Sequence, residues 1–384
     1  MSPTGTDCSG MNHSGTPISG RAVLYGLSNP PAELTAGRLT SMVPVFADVD
    51  TGVDDALGLI YLLASEGVEI VGIASTAGNV AVDHVCANNL GLLELCKAPQ
   101  IPVAKGVAEP LSAALRTAED THGPTGLGYA TLPDTARTLT EYDAAEAWVK
   151  AAHAHPGELV GLATGPLTNL ALALRTEPEL PRLLKRLVIM GGSFDYPGNT
   201  TPVAEWNVVV DPGATAEVYA AWGAAGVQEL PIVCGLNLTE TIAMTPEHLT
   251  KLAETAGATT TPLSVLDLPS SRSAASNSLL RFIEDAARFY FEFHMKQDEG
   301  FLAHMHDPFA AAVALDPSLV QTRSATVDVE LTGDLTRAMT IADWKGQWGQ
   351  KPNAQIAVET DPEVFFGRFI ERVGAFARKL DGAS

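Results

Sequence analysis

The chain has 384 residues, 46% apolar and 18% charged, a balance that excludes disordered and fibrous classes and leaves a globular protein with a sizeable core. A formal net charge of -21 argues against nucleic-acid partners and anionic membrane surfaces, both of which need clustered Lys and Arg. No apolar run reaches the roughly 18 residues of a membrane-spanning helix.

Residues 1–41, rich in Ser, Gly, Thr and Pro, lack the basic start and apolar stretch of a secretory signal and are expected to form a mobile tail. Met42, just before the first strand, is a candidate start. From residue 42 to 384, β-branched runs alternate with segments of helical period. This predicts one α/β domain, an open, mostly parallel (Rossmann-like) sheet with flanking helices. Val43 to Asp48 reads as the first strand, and Asp54 to Ser65 as a helix with Leu57, Ile60 and Leu63 on one face and Gly67 as its C-cap. Strand Val68 to Ser75, helix Val82 to Cys96 and strand Ile101 to Ala104 follow. Strand-then-helix pairs recur at Glu158 to Thr164 with Asn169 to Arg175, and at Arg186 to Met190 with Asp211 to Trp222. A further strand spans Glu229 to Cys234, Ala325 to Ala342 reads as a small late β-hairpin, and Pro362 to Leu380 as a closing amphipathic helix. The four cysteines (Cys8, Cys86, Cys96, Cys234) lack CxxC spacing, so neither a zinc knuckle nor a disulfide framework is expected, and a reducing cytoplasm fits.

In open α/β sheets ligands sit outside the carboxyl ends of the strands. The residues just after the predicted strands include Asp48 to Asp55, Thr76 to Asn79, Thr164 to Asn169, Met190 to Ser193 and Gly235 to Thr239. The first of these, DVDTGVDD, puts Asp48, Asp50, Asp54 and Asp55 at one strand-to-helix turn, and no Lys or Arg occurs between Arg38 and Lys97. Two carboxylates about 4 Å apart repel by roughly 4 kcal/mol at an effective dielectric near 20, so convergence demands protonation or a cation. An all-oxygen donor set suits a hard ion, Ca²⁺ or Mg²⁺, rather than zinc. The plainer reading makes Asp54 a helix cap and leaves the others in water.

DVDTGVDD resembles the aspartate-rich amino-terminal loop of the nucleoside hydrolase family, with Thr51 where the family usually has Pro. STAGNV at Ser75 to Val80, HGPTGLG at His122 to Gly128, ATGPLTNLALAL at Ala163 to Leu174, GNTTPVAEWNVVVDP at Gly198 to Pro212 and MHDPFAAA at Met305 to Ala312 are similar to further family segments, in family order. Asn237 in GLNLT departs from the Asp often found there. The resemblance implies hydrolysis of ribonucleoside N-glycosidic bonds to free ribose and a purine or pyrimidine base. Asp50, Asp55, Asp307 and the carbonyl of Thr164 would hold Ca²⁺, Asp50 would also act as general base, and His306 would protonate the leaving base because its pKa lies near neutrality. Asp54, Asn79, His122, Met190, Asn199, Glu205 and Asn207 would contact substrate, and Asp48 would support the turn. His304 receives no role, and Trp206, if its segment is extended, points away into packing. A homodimer or homotetramer is implied as well.

Two rivals remain at this level. DVDTG also resembles the DxDxT opening of haloacid dehalogenase phosphatases, with Asp48 as nucleophile, although that pattern wants a later Lys and a separate acidic pair, whereas this chain supplies two aspartates immediately after the turn. The other is a non-catalytic protein that binds a metal and a nucleoside or ribose.

Overall fold

In the computed structural model, which describes residues 42–382, the first strand is β1 (Val43–Val49). Val45, Ala47 and Val49 enter one core cluster and Phe46 enters another, so both faces are buried, as in the interior of a parallel sheet. The other strands are β2 (Val68–Ser75), β3 (Val103–Lys105), β4 (Leu159–Ala163), β5 (Leu184–Met190), β6 (Ile232–Cys234), β7 (Ala243–Met244), β8 (Ala303–His304), β9 (Val320–Val329), β10 (Thr340–Asp343) and β11 (Ala354–Thr360). Nine of them form one sheet in the order β10-β9-β11-β6-β5-β4-β1-β2-β3, and β7 and β8 pair separately.

From β3 through β6 to β11 every pairing is parallel, and β9 pairs antiparallel with both β11 and β10. The run β3-β2-β1-β4-β5-β6 is the doubly wound order. Chain progression reverses between β1 and β4, and there the crevice opens that such sheets use for ligands. The loops after β1 and β4 are those carrying Asp50 to Asp55 and Thr164 to Asn169.

Helices Val53–Leu63, Ser278–Lys296, His306–Leu315 and Pro362–Gly382 pack through the larger core cluster. Helices Ala144–Ala154, Thr168–Thr176 and Pro212–Ala225 pack through the second. The alternating strand residues Val160 and Leu162 against Leu159 and Ala163 divide between these clusters as the pleat requires.

The expected elements are present, with several differences. The first helix ends at Ala64 in a right-handed conformation, so Gly67 (φ +74°) is not its C-cap but serves the turn into β2, its carbonyl accepting from Val43 N–H. The late hairpin is β9 with β10, but β9 starts at Val320 and an unanticipated strand, β11, joins it to the parallel sheet. Helix Ser278–Lys296, like helices Ala144–Ala154, Pro246–Ala256 and His306–Leu315, has no counterpart among the elements expected from sequence. Its buried face includes Glu284, Arg288 and Glu292, which interrupt the apolar stripe, with Arg288 bonding to Glu292 at 2.9 Å and Asp267 at 3.0 Å. Trp206 opens a short helix, Trp206–Val210, instead of an extended segment. Residues 1–41, expected to be a mobile tail, lie outside the described residues.

Candidate active site

The turn after β1 is fixed from below by Asp48. Buried to 2% exposure, it accepts hydrogen bonds from Thr76 Oγ1, Trp148 Nε1 (2.7 Å) and Asn169 Nδ2 (2.9 Å). Burial lifts its carboxyl to about 6 despite these donors. Thr51 is fully buried and donates to Asn89, tying the turn to helix Val82–Leu95. An enclosed Asp48 cannot attack a substrate.

Asp50 stands at the end of β1 with one oxygen, Oδ2, accepting from Asn79 N–H at 2.8 Å. Its Oδ1 is buried without any partner. Two close-packed glycines leave it room. A Cβ on Gly78 would lie 2.1 Å from Asp50 Oδ2, and one on Gly165 would lie 2.9 Å from Oδ1. The glycines of the AGN and TGP segments are therefore dictated by the carboxylate between them.

Asp55 occupies the third position of helix Val53–Leu63, where Oδ2 accepts from Gly52 N–H at 2.9 Å and Asn79 Nδ2 at 3.1 Å, and Oδ1 accepts from Thr164 Oγ1 at 2.7 Å. So Asp55, not Asp54, caps the helix. Asp54 instead meets Asp307 side by side, and with Asp55 their oxygens gather within 4.8 Å of one another. The geometry thus groups Asp54, expected on the sugar, with two expected ligands, while Asp50 stands beside this trio. Burial, then Asp55, pushes Asp54 up to about 8. Burial first and neighbouring carboxylates next hold Asp50 and Asp307 well above the usual range, and burial raises Asp55. Unpartnered Asp50 Oδ1 and Asp54 Oδ1 and the all-oxygen donor set fit a hard divalent cation.

Above the carboxylates lies a cavity of about 600 Å³, within the range of small-molecule sites. Asp54, Asn79, His122, Thr164, Met190, Asn199, Glu205, Asn207, His306 and Asp307 all line it, whereas Asp50 and Asp55 lie behind its wall. Asn207 Nδ2 donates to Thr164 O at 2.6 Å and Met190 O at 3.2 Å, which joins the loops after β4 and β5. Glu205 caps the Trp206–Val210 helix, with Asn207 N–H at 2.8 Å, Val208 N–H at 3.2 Å and Gly192 N–H at 2.9 Å. Its carboxylate is thus engaged with backbone. Asn199, at the rim, accepts from Trp206 N–H at 3.0 Å.

His122 Nδ1 accepts from Val53 N–H at 3.1 Å, so the ring proton is assigned to Nε2, and burial lowers its pKa to about 3. His306 Nδ1 lies 2.8 Å from Thr239 Oγ1. Burial, followed by His304 and His294, pushes its pKa well below the ordinary value, in the opposite direction from an acid poised near neutrality.

Several wall residues escaped the sequence reading. Tyr290, Phe293 and His294 come from helix Ser278–Lys296, and Tyr196 and Glu240 from loops. His304, given no role, lines the cavity from β8, and Trp206 does so because its segment is helical. The available signal was the aromatic cluster FYFEFH at Phe289 to His294, which lies far in sequence from the aspartate turn and 11 residues before the MHDPFAAA motif.

Residues 45–367 match the family model described as inosine-uridine preferring nucleoside hydrolase. The chain belongs to this family. It is 33% identical to the pyrimidine-specific ribonucleoside hydrolase RihA of Salmonella paratyphi A over 87% of its length and 99% of that protein's. The RihA protein of Citrobacter koseri is 34% identical over the same shares. Among solved structures, a purine-preferring ribonucleoside hydrolase from Gardnerella vaginalis aligns with a TM-score of 0.77 and 27% identity, over 88% of this chain and 99% of that one. The family is metal-dependent, and the chain is an N-glycosyl hydrolase acting on ribonucleosides rather than a phosphatase or a bare binding protein. Among the described residues, no helix is long and apolar enough to cross a membrane.

Proposed function

We propose that this nucleoside hydrolase releases free ribose by using Asp50 to take a proton from the attacking water, and that the unpartnered Asp50 Oδ1 is the observation that carries this role. Asn79 N–H fixes the other oxygen, so the free one has a defined direction. Asp50, Asp55, Asp307 and the Thr164 carbonyl would hold Ca²⁺, with Asp54 shared between the cation and the ribose hydroxyls. When bound, the cation supplies Lewis acidity that lowers the pKa of coordinated water. The carboxylates under the sugar stabilise the positive charge that develops as the glycosidic bond breaks. Asn207 and Asp54 hold the ribose diol, and Asn79, His122, Met190, Asn199 and Glu205 shape the rest of the sugar pocket, Glu205 through the backbone that it braces.

His306 then works as a neutral donor. With the Thr239 hydroxyl at Nδ1, an Nε2–H would hydrogen-bond the leaving base and stabilise the negative charge it gains as the glycosidic bond breaks. The pyrimidine-specific names of RihA relatives support a preference for uridine and cytidine over inosine. The free, buried thiols of Cys86, Cys96 and Cys234 support a cytoplasmic location, and exposed Val265, Leu266 and Leu268 support a homodimer or homotetramer.

The decisive experiment measures free ribose from uridine, cytidine, inosine, adenosine and guanosine, with Ca²⁺ and with chelator. Uridine and cytidine should be cleaved fastest, and chelation should stop turnover. Release of ribose from none of the five would sink the reading.

A further inference from the structure

At the mouth of the cavity, apart from the aspartates, a second group of metal-ligating side chains converges. His294 lies in the last turn of helix Ser278–Lys296, and the chain then doubles back so that Glu299 N–H donates to His294 O at 3.1 Å. This brings Glu299 Oε2 to 2.7 Å from His294 Nδ1. His304, in β8, points Nε2 at the same oxygen from 3.3 Å. The ligand atoms of all three lie within 4.8 Å of one another, and the two imidazole rings stand at 90° with centroids 4.7 Å apart.

The ring nitrogens on the edges turned away from Glu299 make no hydrogen bond. His294 is 6% exposed, its Nε2 is buried without a partner, and His304 Nδ1 is likewise unpaired. Both rings compete for one carboxylate oxygen. A second carboxylate, Glu240, is close enough to interact electrostatically with both His304 and Glu299. Glu299 itself has 48% of its side chain exposed, which leaves a path from solvent.

We propose that His294, Glu299 and His304 form a second cation site, for a borderline divalent transition ion such as Zn²⁺. Two imidazole nitrogens and one carboxylate are the donor set of such ions, and three protein ligands leave a position for water or a substrate atom. The hard-ion cluster of Asp54, Asp55 and Asp307 differs in offering oxygen only. Tetrahedral bonds of about 2.0–2.1 Å place ligand atoms roughly 3.3 Å apart, so the His294–Glu299 pair, at 2.7 Å, must open by about 0.6 Å and the atoms lying up to 4.8 Å apart must close by at most about 1.5 Å to admit the ion. An ion held there clips the turn at 297–302 to the helix end. It also places positive charge near His306, whose ring centroid is 5.6 Å from that of His304.

The test uses the full chain saturated with Ca²⁺ and titrated with Co²⁺, followed by visible absorption, and with Zn²⁺, followed by calorimetry. Glu299→Gln and His304→Gln are compared with the parent after a thermal melt of each. The expected result is one transition ion per chain beyond Ca²⁺, an intense visible band from nitrogen-ligated tetrahedral Co²⁺, and a Zn²⁺ Kd raised at least about 100-fold in each variant. A weak, octahedral-type Co²⁺ spectrum in the parent, binding abolished by excess Ca²⁺, or Zn²⁺ isotherms of folded variants that overlay the parent's would each overturn the proposal.

Discussion

Asp50 carries one carboxylate oxygen that no protein donor reaches, enclosed by two glycines that admit nothing larger. A base so placed is held by geometry rather than by an ion pair, and its replacement should affect chemistry far more than folding. Asp50→Asn should lower kcat by roughly 10² to 10⁴-fold. In chelated protein its melting temperature should stay level or rise, because a carboxyl buried among like groups is removed. Steady-state kinetics beside calorimetry checks this, and a variant with near-parental kcat would remove Asp50 from the reaction. Gly78→Ala tests the same pocket from the other wall. Its Cβ would meet Asp50 Oδ2 at 2.1 Å and displace the Asn79 N–H that fixes it. A loss of at least about tenfold in kcat/KM is expected, with an overpacking cost of about 1–3 kcal/mol read from denaturant melts.

At the scale of elements, the short helix Trp206–Val210 is too brief to be stable by propensity and depends on its cap. Glu205 supplies that cap and also holds Gly192 after β5. Glu205→Gln keeps one acceptor oxygen and replaces the other with a donor, so at least one backbone N–H loses its partner. We expect destabilisation of about 1–3 kcal/mol. KM should rise more than kcat falls, because Asn207 leaves the Thr164 carbonyl. An unchanged KM would place the sugar contacts elsewhere. The same element shows why Trp206 was misplaced by sequence: alternation of Glu205, Trp206 and Asn207 suits a strand, and only the cap residue's use of its own backbone shows a helix.

For the whole molecule, the buried carboxylates couple stability to pH and to cation. In the metal-free protein the folded state binds protons that the unfolded state has released, since Asp54 titrates near 8 and Asp50, Asp55 and Asp307 are also raised. A raised folded pKa gives stability that is lost as pH rises through it, so the slope of unfolding free energy with pH is negative. Buried His122 and His306, lowered by burial, act in the opposite sense only below about pH 6.5, where unfolded histidine charges. Between pH 6.5 and about 8 the carboxylates alone set the trend. Chelated protein should melt at progressively lower temperature across that window, and saturating Ca²⁺ should raise the melting temperature most at its upper end. A flat or rising profile for the chelated protein would mean that the cluster is already ionised and otherwise compensated.

The local chemistry of this protein is written in the sequence. The βα alternation, the aspartate turn without any nearby cation, and the ordered segments around Asn79, Thr164, Asn207 and Asp307 follow from residue types and short spacings, and they determine the sheet, its functional edge and the family. Tertiary structure decided what depends on distant partners. Packing of Trp148 and Asn169 around Asp48 makes that residue a brace, and desolvation lowers the pKa of His306. Docking of helix Ser278–Lys296 brings His294 to His304 across a turn whose register no local pattern encodes. Burial, protonation state and long-range convergence depend on the free energy of the folded whole, whereas strand ends and turns are fixed by a few neighbouring residues.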